Sequence, residues 1–197
     1  MNRITAYIRQ SLQDIYSPEE VKALSMLICC DMLGVDALDI YMGKDIILSA
    51  CKQRELENII FRLQKNEPIQ YIRGYAEFCG RNFRVAPGVL IPRPETAELV
   101  DLIVKENPDA RRLLDIGTGS GCIAISLDKN LPDAKVVAWD ISEEALAIAR
   151  KNNEELDAQV TFCRQDVFSA DGIQGTSYDI IVSNPPYVTE TEKTEME

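Results

Sequence analysis

The 197-residue chain contains no histidine. The commonest general base near neutral pH and the commonest metal ligand are therefore both missing. Metal-type cysteine spacing is missing too. None of Cys29, Cys30, Cys51, Cys79, Cys122 and Cys163 forms a C-x-x-C pair, so the six read as small apolar residues buried in a protein kept reduced. Basic charge is scarce: 21 Lys and Arg stand against 32 Asp and Glu, a net charge of -11. So acidic a surface repels phosphate backbones and weighs against DNA or RNA as a direct partner. Long apolar runs are absent as well. No segment suits a bilayer span, and the first residues carry Arg3 and Arg9 among spaced apolar positions rather than a continuous apolar core. A cytoplasmic protein without a membrane partner is the expectation.

What is present is a globular balance, 46% apolar and 27% charged, in a length that suits one domain or two small ones. Ile4, Tyr7, Ile8, Leu12 and Ile15 recur at helical spacing. Ser17-Pro18-Glu19-Glu20 supplies an N-cap, a first-turn proline and a capping-box glutamate for a helix that stops at Gly34. A short helix near Asp36–Met42 and a longer one across Ser49–Lys65 follow, with Leu56, Ile59, Ile60 and Leu63 on one face of the latter. Residues 1–68 thus read as a helical domain. Residues 69–91, with Gly80 inside Glu77–Val85 and prolines behind, read as a β-hairpin connector. Residues 92–197 alternate: a helix over Thr96–Glu106, strand Arg112–Ile116, a helix from Cys122, strand Val136–Trp139, a helix behind Ser142, and strands Val160–Cys163 and Tyr178–Val182. That order predicts an α/β, doubly wound parallel sheet, in which ligands sit at the carboxyl ends of the strands.

Four groups of residues fall at those ends. Asp115-Ile-Gly117-Thr118-Gly119-Ser120-Gly121 has the form D-x-G-x-G-x-G: its glycines permit a tight turn and close ligand approach, the following helix offers free N–H groups, and Asp115 suits an ammonium group. Gly119 to Ala124 also fits G-x-G-x-x-A, which leaves a dinucleotide site open on this motif alone. Asp140 ends the second strand, placed either for ribose hydroxyls or as a helix N-terminal carboxylate before Ser142. Asp166, Val167 and Phe168 follow the third strand, either as an adenine site or as core residues beside a solvated carboxylate. Asn184-Pro185-Pro186-Tyr187 follows the fourth. Its prolines fix the backbone, and the Asn184 side-chain oxygen and Pro185 carbonyl can accept both hydrogens of one NH2 group, with Tyr187 packed on the flat group. A planar amide nitrogen is a poor nucleophile because its lone pair is delocalised. Accepting both N–H bonds turns that lone pair toward a methyl donor and puts negative charge where positive charge develops. No strong base is required, which suits a chain without histidine. The set predicts an S-adenosylmethionine-dependent methyltransferase acting on an NH2 group.

Leu90-Ile91-Pro92-Arg93-Pro94-Glu95-Thr96, with Glu67-Pro68-Ile69-Gln70-Tyr71-Ile72 and Glu77-Phe78, closely resembles the release-factor glutamine methyltransferases, the HemK/PrmC family, over nearly the whole chain. The resemblance implies a Rossmann-like S-adenosylmethionine methyltransferase sheet, incomplete at the C-terminus, behind a small helical domain that docks the substrate protein. It implies N5-methylation of the glutamine in the Gly-Gly-Gln motif of peptide chain release factors. By family pattern Gly117 to Gly121 and Asp140 hold the cofactor, Asn184 touches cofactor and substrate, and Pro185, Pro186 and Tyr187 shape the glutamine pocket. Relatives often carry tryptophan after the position of Asp166; Val167 stands here, and Phe168 is the compensating apolar group. Competing readings are an adenine-N6 nucleic-acid methyltransferase, a ribosomal-protein glutamine methyltransferase and an inactive cofactor-binding fragment.

Family members carry further strands and helices after N-P-P-Y, whereas this chain stops ten residues beyond it. Four strands would leave the fourth as an edge. The expectation is a shortened chain that keeps much of the cofactor site but methylates poorly. Methyl transfer by the purified 197-residue chain at the rate of a full-length relative would refute it.

Overall fold

A computed structural model of the chain describes residues 2–169 and 177–185. The chain divides into two compact units, Met1–Arg73 and Gly74–Glu197.

The first unit is helical. α1 (Arg3–Leu12) is capped by Asn2, whose side chain accepts from the Ile4 and Thr5 amides. α2 (Pro18–Met26) begins with the complete capping box of Ser17 and Glu20, two orphan donors satisfied reciprocally. It runs into a π-helical stretch, Leu27–Met32, before Gly34 turns at φ 62°. Asp36 caps the short α3 (Ala37–Tyr41), and Ser49 caps α4 (Ala50–Leu63). α5 (Ile69–Arg73) closes the unit. One face of each long helix meets in a common core of Ile4, Ile8, Leu12, Val21, Ile28, Leu56, Ile60 and Leu63. No helix among the described residues is long and apolar enough to cross a membrane.

The second unit opens with an antiparallel hairpin, β1 (Tyr75–Phe78) and β2 (Arg81–Arg84), turning through Cys79 and Gly80. Its sheet consists of β3 (Arg112–Ile116), β4 (Lys135–Asp140), β5 (Thr161–Arg164) and β6 (Ile180–Ser183), all parallel and in the order β5-β4-β3-β6. α6 (Pro94–Glu106) precedes β3, and α7 (Cys122–Asn130) and α8 (Glu143–Glu155) connect the first three strands. From β3 the chain builds outward to β4 and β5, then returns to the other side of β3 as β6. Strand order therefore reverses beside β3, which is where open parallel sheets form their ligand crevice. Among the described residues β6 is an edge strand, and Ile181 on it is 55% exposed.

The region 69–91 departs from the sequence expectation of a connector. Ile69–Arg73 is helical and belongs to the first unit, and the hairpin belongs to the core of the second. The reason is packing. Phe78 and Phe83 meet edge-to-face with centroids 6.0 Å apart and are buried with Val100, Leu113, Ile125 and Val136, each ring worth roughly 2–3 kcal/mol of apolar burial. Periodicity marks a hairpin but not what its rings will pack against.

A buried asparagine joins the hairpin to the sheet. Asn152 on α8 is fully buried. Its Oδ1 accepts from the Arg84 amide at 2.7 Å, and its Nδ2 donates to the Arg84 carbonyl at 3.1 Å and to the Ser120 carbonyl at 2.8 Å. Asn152→Ala would strand all three backbone groups in the interior, so we expect a loss of about 3 kcal/mol in urea denaturation. A change below about 1 kcal/mol would show that water or a backbone shift satisfies them instead.

Candidate functional site

The loop between β3 and α7 turns back on itself under close control. The Gly117 and Thr118 amides both donate to the Trp139 carbonyl at the end of β4, at 2.8 and 2.9 Å. The Gly119 amide donates to Asp140 Oδ2 at 2.8 Å, and the Gly121 amide to the Thr118 carbonyl at 2.8 Å. Gly121 caps α7 at φ 80°, and a Cβ there would lie 3.1 Å from Ile125 Cδ1 and 3.2 Å from Ala149 Cβ. That position demands glycine twice over, by conformation and by closeness of helix α8. At Gly119 a Cβ would meet nothing within 4 Å; the space in front of the loop is open to a ligand.

Asp140 bridges two elements, with Oδ2 on Gly119 N–H and Oδ1 accepting from the Ser142 amide at 3.0 Å. The helix N-terminal reading is realised, since the residue steadies the start of α8, which Ser142 caps, and its position at the rim leaves the ribose reading open. Each carboxylate oxygen accepts one bond from the backbone and retains capacity for a second.

Asp115 lies beneath the loop, 1% exposed. Its Oδ2 accepts from the Thr118 hydroxyl at 2.7 Å, and the Ala124 amide also favours its charged form, while Oδ1 is buried and makes no hydrogen bond of good geometry. Burial pushes its carboxyl up to about 6, opposed by the Thr118 hydroxyl. The sequence placed this residue at the rim; its side chain instead braces the turn from below. Cys122 at the head of α7 is likewise buried, its thiol pushed up to about 12 by burial, so it stays protonated and unreactive. Cys29 is the other buried cysteine; Cys51 is exposed and the remaining three are half-buried, so the expectation of six buried cysteines holds for two.

After β5, Asp166 forms a local turn, its Oδ1 accepting from the Phe168 amide at 2.9 Å and its carbonyl from Ser169 Oγ at 2.8 Å. Phe168 is 93% exposed and Val167 43% exposed. Neither is a core residue, which removes that alternative and leaves an uncovered aromatic ring on the rim. After β6, Ser183 Oγ donates to the Ile116 carbonyl at 2.8 Å, tying the two strand ends. Asn184 follows, half-buried, with Nδ2 donating to Thr96 Oγ1 at 3.0 Å; Pro185 is exposed. Pro186 and Tyr187 lie outside the described residues.

Asn184, Thr96, Arg93, Pro92 and the loop 117–120 line one narrow cleft of about 40 Å³. The structure therefore brings together the glycine loop, Asn184 and the start of α6. Thr96 and Arg93 carried no individual role in the sequence reading. The signal was their place in the I-P-R-P-E-T stretch, which identified kinship rather than contact.

The titration of Asp115 has a measurable consequence. Native Asp115 keeps its proton to about pH 6, against 3.8 ordinarily, so the stability it contributes is complete below the unfolded value and is lost as pH rises through the folded one. Asp115→Asn cannot titrate. Between about pH 5 and pH 7.5 the parent should lose about 1 kcal/mol relative to that variant in urea denaturation. A difference that does not vary with pH would contradict a buried, protonated carboxyl.

Two family models match the chain. The methyltransferase small domain covers residues 95–196, and the PrmC N-terminal domain covers residues 4–74. The release factor glutamine methyltransferase of Bacteroides thetaiotaomicron is 98% identical over 197 residues, all of this chain and 71% of that protein. The Flavobacterium psychrophilum enzyme of the same name is 41% identical over 192 residues, 95% of this chain and 67% of that protein. Among solved structures, the T. thermophilus 16S rRNA N2 G1207 methyltransferase in complex with AdoMet and guanosine matches at TM-score 0.50 and 25% identity, over 59% of this chain and 33% of that one. With both of its units matched and a near-identical relative alongside, the chain belongs to the release factor glutamine methyltransferase family.

Proposed function

We propose that this chain methylates the side-chain amide nitrogen of the glutamine in the Gly-Gly-Gln loop of peptide chain release factors, using S-adenosyl-L-methionine, in the cytoplasm. The observation that carries the reading is the placement of Asn184: its Nδ2 is engaged by Thr96, which leaves Oδ1 to accept, in the same cleft as the glycine loop.

The cofactor site fits the residues present. Open space before Gly119 and the free acceptor capacity of Asp140 support a nucleoside at the rim. The exposed Phe168 ring, with Val167 and Asp166 beside it, supplies an apolar face for adenine. The cleft lined by Gly117, Thr118 and Ser120 is the place for the small amino-acid end. Asp115 acts from beneath, keeping Thr118 and the turn in place. When bound, S-adenosylmethionine supplies an electrophilic methyl group on sulfur. Asn184 Oδ1 and the Pro185 carbonyl accept the two glutamine N–H bonds and aim the nitrogen lone pair at that methyl. With the cofactor bound, an N–CH3 bond would form as the S–CH3 bond broke, its electron pair going to sulfur, and the nitrogen so held by Asn184 and Pro185 would release one proton to solvent. Pro186 and Tyr187 are assigned to the glutamine pocket by the family resemblance alone. Alignment and electrostatics drive the step, and no histidine is called for.

The first unit serves as the docking domain for the release factor. A nucleic-acid substrate is disfavoured by charge: the second unit holds 22 of the 32 acidic residues and only 12 of the 21 basic ones. A field of that sign repels a phosphate backbone.

Incubation with labelled S-adenosylmethionine and a release factor should label the factor, and replacing the Gly-Gly-Gln glutamine should abolish it. Label that survives the replacement would sink the glutamine assignment. In calorimetry, Asp140→Ala should weaken binding of S-adenosylhomocysteine roughly tenfold or more, the loss of about one charge-assisted hydrogen bond.

A further inference from the structure

We propose that Thr96 is a positioning residue for methyl transfer, fixing which end of the Asn184 carboxamide faces the substrate. The inference rests on the reading of Asn184 as acceptor for the glutamine amide.

A primary amide is nearly symmetric in shape and opposite in chemistry at its two ends. Its last torsion is broad and two-fold, so packing alone does not choose between Oδ1-inward and Nδ2-inward. The choice falls to hydrogen bonding. The Asn184 Nδ2 donates to Thr96 Oγ1 at 3.0 Å, across 88 positions of sequence. A hydroxyl can also donate; in the orientation the structure shows, Thr96 Oγ1 accepts from Nδ2, and Oδ1 is the end left for an incoming N–H. The reverse orientation would set Nδ2 against a substrate NH2, donor against donor, and would remove the charge that favours the reacting nitrogen.

Thr96 suits this role because it sits on a rigid support. It lies in the first turn of α6, whose first residue is Pro94, and the residue is 9% exposed. Further along the same helix Val100 and Ile103 are buried in the core of the sheet. The backbone just before Asn184 is pinned separately, through Ser183 Oγ on the Ile116 carbonyl. One bond therefore places the chain and another turns the side chain, and each comes from a different packed element.

The test uses Thr96→Val, which keeps the shape and deletes the acceptor, and Thr96→Ser, which keeps the hydroxyl. With a release factor as substrate, T96V should lower kcat roughly tenfold. T96S should recover most of kcat. A purely structural threonine would instead shift thermal stability and leave kcat of the folded fraction unchanged. A second readout needs no turnover: the side-chain NH2 pair of Asn184 in 15N-labelled protein, identified by its loss in N184D. That pair should move in T96V and keep its position in T96S. An unmoved pair in T96V, or a moved pair with unchanged kcat, overturns the proposal. A parent that transfers no methyl to the release factor would defeat the proposed function, while the amide signals still decide the role of Thr96.

Discussion

A tight turn at the end of a buried strand leaves several backbone N–H and C=O groups in a row with no ladder to join, and each needs a partner. At residues 117–121 the Gly121 amide is satisfied within the turn by the Thr118 carbonyl, and the other partners come from outside it. Trp139 takes two amides, Asp140 takes a third, and Asn152 takes the Ser120 carbonyl. The loop's shape is thus dictated by β4 and α8. Everything else at the rim follows: the open space before Gly119, the start of α7, and the crevice beside β3 into which Asn184 projects. Asn152 also holds both backbone groups of Arg84, so the same side chain secures the hairpin and the loop.

The site works with weak chemistry and strong placement. A chain without histidine lacks the usual side chain poised near neutral pH, and among the described residues the carboxyl raised to about 6, Asp115, is spent under the loop rather than at the reacting centre. That division is coherent for methyl transfer to an amide. The reaction needs an aligned nucleophile and an acceptor pair, not a base strong enough to ionise it. An amide acceptor such as Asn184 carries no net charge and can sit half-buried without a large desolvation cost, but it is only as good as its orientation.

Much of the fold was legible because it rests on local rules. The capping box at Ser17, the N-cap at Ser142, the helices beginning near Asp36 and Ser49, and the strand at Arg112–Ile116 follow from side-chain chemistry and periodicity within a few residues. The glycine loop and Asn184 could be placed on one rim because parallel sheets put their loops there. The misreadings have one origin. The hairpin looked like a connector, Asp115 like a rim residue, and Val167 and Phe168 like possible core, since burial depends on what packs against a segment from far away in sequence.

By itself, then, the sequence determined the element order, the parallel sheet, the four motif positions at its carboxyl edge and the family, because these depend on short-range pattern and on topology that pattern constrains. Only the tertiary structure decided that Asp115 lies buried, that Phe168 stands exposed, that Asn152 ties Arg84 to Ser120, and that Thr96 holds Asn184. Those are contacts between residues 32 to 88 positions apart, or burial imposed by such contacts, and no local propensity encodes which distant partner a side chain will meet.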